Sequence, residues 1–280
     1  MPELPEVETV CRMLRRTMVG KRIVAAEVAH DEIVLEGRKP ADVQSALVGR
    51  TVHEIRRRGK FFWMEFDAAP IVCAHLGMAG WMRELGAPTI RLKEHGNAPL
   101  DDENGRPRFL KLLLEAEDGT RVALTDGRRL ARIWLAESAR SDPRIARLGP
   151  DAYDQLPPTA EIERVLKGRT APIKALLLDQ ALFAGVGNWI ADEALFQARI
   201  SPKRTAGSLK KNDLEHLRQA LADVISLAVE VGADETRYPT NWMFHHRWGG
   251  RRGPDLVDGK PIVREVIGGR TTAWVPGWQK

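Results

Sequence analysis

Val7, Val10, Leu14 and Met18 recur at three- and four-residue spacing near the start of the chain, which predicts a helix with one buried face. Arg12, Arg15 and Arg16 fall mostly outside that face. Pro5 suits the first turn, Glu6 and Glu8 complement its positive end, and Gly20 supplies a stop. Short runs rich in β-branched and aromatic residues follow at 22–28, 51–55, 61–66, 71–75, 109–115 and 121–125. Joined by turns, they predict an antiparallel β domain. The stretch 87–108 mixes proline, glycine, asparagine and charge without a period, and predicts a long, mobile surface loop.

Residues 143–158 carry prolines and polar side chains without periodicity and mark the exit from this first domain. Beyond them the period becomes helical, through Ile162, Val165 and Leu166, then 173–178, then 189–196. A last helix is expected from a Ser208 cap to Gly232, with Leu214, Leu217, Leu221, Val224 and Ala228 inward. The tail holds four of the eight tryptophans and places Gly268-Gly269 between two β-like runs, 261–267 and 270–275, a hairpin pattern. The expected division is 1–150, 151–232 and 233–280, an α+β chain with a β domain first and a helical one second.

Composition narrows this picture without deciding it. With 280 residues and 43% hydrophobic content, the chain is long enough for two cored domains. No apolar run approaches the length of a membrane span, and the acidic start lacks the features of a signal peptide, so an intracellular protein with no membrane partner is expected. Cys11 and Cys73 sit in apolar patterns rather than in a metal-binding pair, and read as core residues. A net charge of +5 is compatible with a polyanionic partner.

The chemistry concentrates in Met1-Pro2-Glu3-Leu4-Pro5-Glu6-Val7-Glu8. Removal of Met1 would expose the secondary amine of Pro2 at a helix N-terminus, where an α-amine keeps a neutral fraction near physiological pH. Attack of such an amine on a sugar C1′ gives an iminium that has no N–H proton to lose. It therefore acts as an electron sink for β-elimination and then δ-elimination. Glu3 is placed to supply a proton and Glu6 to fix the terminal turn. Taken alone, these residues also read as an ordinary helix start.

The string resembles the PELPEVE start of the formamidopyrimidine-DNA glycosylase/endonuclease VIII family, and the likeness recurs along nearly the whole chain. Arg56-Arg57-Arg58-Gly59-Lys60 resembles R-R-x-G-K, His75-Leu76-Gly77-Met78 the H-L-G-M loop, and Asp126-Gly127-Arg128-Arg129-Leu130 the D-P-R-R-F loop, with two departures. Leu177-Leu178-Asp179-Gln180 and 184–193 resemble the helix-two-turn-helix motif, and 268–272 the finger hairpin. The resemblance implies Pro2 as nucleophile, Glu3 as acid, Lys60 and Arg270 on the lesion phosphate, and Asn188 on the same backbone. His75 would touch DNA, Met78 fill the gap left by the extruded base, Arg128 read the orphaned partner and Leu130 wedge the duplex. It implies an N-terminal β-sandwich with flanking helices, a helix-two-turn-helix domain, and a monomer that binds damaged double-stranded DNA between its domains.

The family's zinc finger would need cysteines around Asp255, Asp258, Val275 and Trp278. None is there, so the resemblance is to zincless members, most closely the plant and fungal branch, and no cofactor is expected. Packing of Trp248, Trp274, Val275 and Trp278 is expected to hold the hairpin instead. The implied function is excision of oxidised bases with strand cleavage at the abasic site, in the cytoplasm or nucleoid of a bacterium or the nucleus of a eukaryote. A non-catalytic lesion-binding protein of the same fold is the alternative. Residues 233–247 lack the glycine- and threonine-rich pattern of the loop that caps 8-oxoguanine in many bacterial members. Formamidopyrimidines and hydantoins are therefore expected to be better substrates than 8-oxoguanine.

Overall fold

The computed structural model describes residues 2–88, 98–249 and 255–280. The chain forms two compact units, residues 1–147 with 232–235, and 148–231 with 236–280. In the first unit the elements are α1 (Leu4–Met18), β1 (Ile23–Val28), α2 (Pro40–Ser45), β2 (Glu54–Arg58), β3 (Phe61–Glu65), β4 (Ile71–His75), β5 (Trp81–Glu84), β6 (Leu110–Ala116), β7 (Arg121–Thr125), β8 (Arg132–Ala136) and α3 (Pro143–Ala146). The eight strands make two antiparallel sheets, ordered β1-β6-β7-β5 and β2-β3-β4-β8.

Both sheets send side chains into one core: Ile23, Leu112, Leu114 and Leu124 from the first, and Ile55, Phe62, Met64 and Ile133 from the second. The apolar stripe of α1 joins the same cluster through Val7, Cys11, Leu14 and Met18. Each such fully buried aliphatic side chain contributes roughly 1.5–3 kcal/mol, so burial rather than helix propensity anchors the N-terminal helix. Cys11 and Cys73 are both free and fully buried, and burial pushes each thiol up to about 12.

Two strands, β5 and β8, lie outside the runs expected from sequence, and β2 lies three residues later than the expected run 51–55. The reason for the second shift is Arg57, which alternates inward beside Ile55 (side-chain burial pattern exposed, buried, exposed, buried along 54–57). Residues 89–97 of the expected surface loop lie outside the described residues. Its described end is ordered by Asp102, whose carboxylate accepts from the Asn104 and Arg106 amides at 2.9 Å each.

The second unit holds α4 (Thr159–Leu166), α5 (Ile173–Leu177), α6 (Asn188–Gln197), α7 (Lys211–Glu230), β9 (Leu256–Val257), β10 (Lys260–Pro261), β11 (Val263–Ile267) and β12 (Arg270–Trp274). Helix α6 is buried on nearly every side, as a core helix must be. Ser208 does not cap α7: its hydroxyl donates to the Thr205 carbonyl inside a short turn, and α7 starts at Lys211. Asp213 reaches back to accept the Lys210 amide at 2.9 Å instead. The β11–β12 hairpin turns at Gly268-Gly269, both with positive φ. A Cβ on Gly268 would lie 2.9 Å from Ala175, so the turn also needs the missing side chain.

Behind the hairpin, Val257, Ile262, Ala273 and Val275 pack with Phe196, Met243 and Trp278. Trp274 is buried and donates its indole N–H to Glu265 at 2.8 Å. Trp248, expected in this packing, lies outside it. It is 41% exposed, with the Arg247 guanidinium 4.6 Å from its ring centroid. No helix among the described residues is long and apolar enough to cross a membrane.

Candidate active site and nucleic-acid interface

Pro2, Glu3 and Glu6 are all buried at the start of α1. Met1 lies outside the described residues. Pro5 occupies the first turn and Glu3 is the N-cap, with extended backbone. Glu6 accepts the Glu3 amide at 3.0 Å, satisfying one of the helix's orphan donors. Burial, with the neighbouring Glu3 carboxylate as second cause, raises Glu6 to about 7. One side of Glu6 borders a cavity of about 190 Å³ whose other walls include Val10, Met13, Leu76, Trp81 and Met82.

That shift has a sign. The unfolded carboxyl titrates near 4.5, so Glu6 favours the fold below that value, and the contribution is lost as pH rises through about 7. Glu6→Gln, permanently neutral and still able to accept the Glu3 amide, should match wild type near pH 4 and exceed it at pH 8 by on the order of 3 kcal/mol. Urea unfolding at a series of pH values measures this. A Glu6→Gln protein that tracks wild type across the range would show that Glu6 ionises normally.

The turn carrying Lys60 is held to α1 by a buried ion pair. Arg57 Nε donates to Glu8 Oε2 at 2.8 Å, and its Nη1 donates to the Gly59 carbonyl at 3.1 Å. Arg15 donates to the other Glu8 oxygen at 2.7 Å. Burial alone would raise Glu8, but the hydrogen bonds from Arg57 and Arg15 outweigh it and hold the carboxylate below its usual range. Of the three-arginine run, then, Arg57 is committed to internal pairing. Arg56 pairs with Glu54 and Glu65, and the half-buried Lys60 sits at the tip of the β2–β3 turn. Sequence reasoning read this run as one basic cluster and passed over Glu8 as a partner.

His75 ends β4 opposite Phe61, the residue after Lys60. Burial, then the cations Lys60 and Arg132, depress the imidazole to about 4. It is therefore neutral at physiological pH. Its Nδ1 accepts the Gly77 amide at 3.1 Å, which assigns the proton to Nε2. Met78, on the loop that follows, is 40% exposed.

The second loop is built on Asp126, fully buried, which accepts from the amides of Arg128, Leu130 and Ala131 at 2.8, 2.6 and 2.6 Å. The three bonds fold the loop so that Arg128 is exposed and Leu130 half-buried. Arg129 turns away and chelates Asp31. The two loops touch: a Cβ on Gly77 would lie 2.2 Å from the Leu130 carbonyl oxygen. Lys60, His75, Met78, Arg128 and Leu130 thus belong to one connected set of β-sheet ends and loops in the first unit.

In the second unit, α5 and α6 are joined by two tight turns stitched by Gln180. Its amide nitrogen donates to the Leu178 and Val186 carbonyls, and its oxygen accepts the Gly185 amide. Asn188 opens α6 after Gly187 and donates from Nδ2 to the Thr271 carbonyl at 2.9 Å. This bond places Asn188 beside β12, whose first residue is the exposed Arg270. A helix N-terminus next to an arginine is an arrangement suited to an anion. Beneath it, Asp192 accepts from Lys174, from Arg247 at 2.7 Å and from the Ala273 amide, while Lys174 donates to the Asn188 carbonyl at 2.9 Å.

Residues 1–133 match the model of the formamidopyrimidine-DNA glycosylase N-terminal domain, and 148–240 that of the formamidopyrimidine-DNA glycosylase H2TH domain. The chain is 41% identical to a formamidopyrimidine-DNA glycosylase of Arabidopsis thaliana, over its whole length and 71% of the relative. The chain belongs to the formamidopyrimidine-DNA glycosylase family. Its fold is similar to that of MutM (Fpg) from Thermus thermophilus, at 33% identity and a TM-score of 0.76 over 99% of this chain and 98% of that one. It is also similar to wild-type Lactococcus lactis Fpg in complex with DNA containing N7-benzyl-Fapy-dG, at 26% identity and a TM-score of 0.80 over the full length of both chains. The family's two-domain architecture accounts for the strand-rich first unit and the helical second.

No group of three or more His, Cys, Asp or Glu among the described residues is placed to hold a metal ion. Asp255, around which the resemblance would require a finger cysteine, is paired with Arg264 at 2.8 Å. Val275 is packed in the apolar cluster behind the hairpin. Neither offers what a thiolate zinc site requires.

Proposed function

We propose that this DNA glycosylase, which removes oxidised bases in base excision repair, works through the amine of Pro2 once Met1 is gone. The observation that carries the proposal is the buried Pro2-Glu3-Glu6 constellation at the N-terminus of α1. The amine attacks C1′ as the C1′–base bond breaks and gives up its N–H proton; Glu3 protonates O4′, so that the C1′–O4′ bond opens and leaves an iminium on Pro2. The resulting iminium acidifies C2′, and elimination of the 3′ phosphate, then the 5′ phosphate, cuts the strand. Burial beside Glu3 raises Glu6 to about 7, so that a protonated fraction persists near neutral pH.

Lys60 in the first unit, and Asn188 with Arg270 in the second, supply the phosphate contacts. Neutral His75 donates one more from Nε2. Met78, Arg128 and Leu130 occupy the gap in the duplex, offsetting the few kcal/mol that flipping costs. The protein acts as a monomer on duplex DNA and its finger needs no zinc.

Borohydride trapping on duplexes carrying a formamidopyrimidine, a hydantoin, 8-oxoguanine or an abasic site tests the reading. A covalent adduct is expected on each, with single-turnover excision slowest for 8-oxoguanine. The segment that stands in the place of that capping loop is packed: Tyr238, Trp242 and Phe244 are buried and contact one another and Trp189 through their rings. Rapid 8-oxoguanine removal would overturn the lesion preference. Tight lesion binding with no adduct on any substrate would overturn the catalytic assignment in favour of a binding protein.

A further inference from the structure

Of the described residues, Phe109 and Trp248 are the large aromatic side chains left exposed, and Phe109 is the more open, at 53%. Its position is unusual in three respects. Its backbone lies in the left-handed region, φ 59°, where a bulky side chain is disfavoured and glycine would be unstrained. Its ring lies over Gly127, where any Cβ would come within 3.3 Å of the ring carbons Cγ and Cδ2. Its carbonyl accepts the Asp126 amide at 2.9 Å, which ties it to the loop of Arg128 and Leu130.

These contacts connect two departures from the family's D-P-R-R-F pattern. Glycine stands where the pattern has proline, and its bare Cα is what admits the Phe109 ring. Leucine stands where the pattern has phenylalanine, and Leu130 is only half-exposed. The apolar bulk missing at position 130 is present one strand away, projecting from the same loop cluster. Met78 and Arg128 are exposed on that cluster, and the Arg108 guanidinium lies 5.6 Å from the Phe109 ring centroid. An exposed aromatic face flanked by arginines is suited to a nucleobase beside its phosphates. Backbone strain of this kind tends to cluster at functional sites.

We infer that Phe109 is the aromatic wedge of this protein, stacking on or between bases of the duplex next to the lesion, with Leu130 as a supporting contact. The inference rests on the reading that this loop cluster faces damaged DNA.

The test uses the full chain and a duplex with 2-aminopurine beside a tetrahydrofuran abasic analogue, which cannot react. Wild type should raise the fluorescence by unstacking the probe. Phe109→Ala should lose most of that rise and Phe109→Trp should keep it. On a duplex lesion, Phe109→Ala should slow excision roughly 5- to 100-fold, the range expected for one base–aromatic stack, and more than it slows cleavage of a single-stranded abasic site. Phe109→Gly, relieved of the strained φ, should keep its melting temperature within a few degrees while losing the same signals, which separates wedging from folding. Phe109→Ala with an undiminished fluorescence rise and excision rate, and Leu130→Ala lacking both, would assign the wedge to Leu130 and overturn the inference. A wild-type rise that depends on Phe109, in a protein that forms no borohydride adduct, would sustain the wedge and refute the catalysis.

Discussion

Pro2→Gly is expected to abolish borohydride trapping and strand cleavage, lowering both by at least about a thousandfold, the scale on which loss of a covalent nucleophile is felt. Two properties go together in this substitution. A secondary amine makes an iminium with no N–H proton to lose, whereas glycine's primary amine makes an imine that must first be protonated to withdraw electrons. The pyrrolidine ring also ties the nitrogen to the side chain and restricts where its lone pair points, and glycine releases it. The fold should survive, because α1 is anchored by Val7, Cys11, Leu14 and Met18 in the shared core rather than by its first residue. Affinity for a tetrahydrofuran duplex should therefore persist while trapping disappears. A protein that retains Met1 should fail in the same assay for a simpler reason, since its proline nitrogen is an amide. A Pro2→Gly protein with the wild-type rate of strand cleavage would remove Pro2 from the mechanism.

The second large effect is expected in the helical unit. Asp192→Ala should destabilise it by about 3–5 kcal/mol, because Lys174 and Arg247, 0% and 6% exposed in their side chains, would be deprived of the carboxylate they share. The magnitude reflects uncompensated buried charge and not the worth of the ion pairs themselves, so Asp192→Asn, which keeps the shape and an acceptor, should cost less. The damage should extend to DNA binding. Asp192 accepts the Ala273 amide of β12, and Lys174 holds the carbonyl of Asn188, so the two phosphate-binding candidates, Asn188 and Arg270, take their positions from this network. Thermal unfolding together with affinity for an abasic-analogue duplex measures both consequences. A variant with unchanged melting temperature would show that the buried cations relax to water without the carboxylate.

Much of this was legible from pattern. The stripe Val7-Val10-Leu14-Met18, the β-rich runs, the switch to helical period after residue 158 and the Gly268-Gly269 hairpin are local signals, and each corresponds to an element of the structure. What escaped depended on partners far along the chain. Arg57 looks like part of a solvated basic run until Glu8, 49 residues earlier, is found against it, and that pairing is why β2 runs through the arginines. Strands β5 and β8 are short, carry arginines and follow directly on motif loops, so nothing local separates them from those loops. Trp248 was expected inside the finger on hydrophobicity alone, while the available space is filled by Phe196, Met243 and Val257. Asp126 gave no signal of its own, because the three amides it gathers become neighbours only when the loop closes around it.

The sequence by itself determined the chemistry on offer: a proline poised for a free amine, two carboxylates one helical turn apart, and apolar periodicities that oblige a β domain and a helical domain to form. Those are properties of residue type and spacing, and they hold before any long-range contact exists. The tertiary structure decided the electrostatics and the pairing. Burial, not residue identity, raises Glu6 and keeps His75 neutral, since the cost of a charge depends on the water removed around it. Only the folded chain brings Asn188 to β12 and sets the Phe109 ring on Gly127, because positions 83 and 18 residues apart have no relation until the backbone between them is fixed.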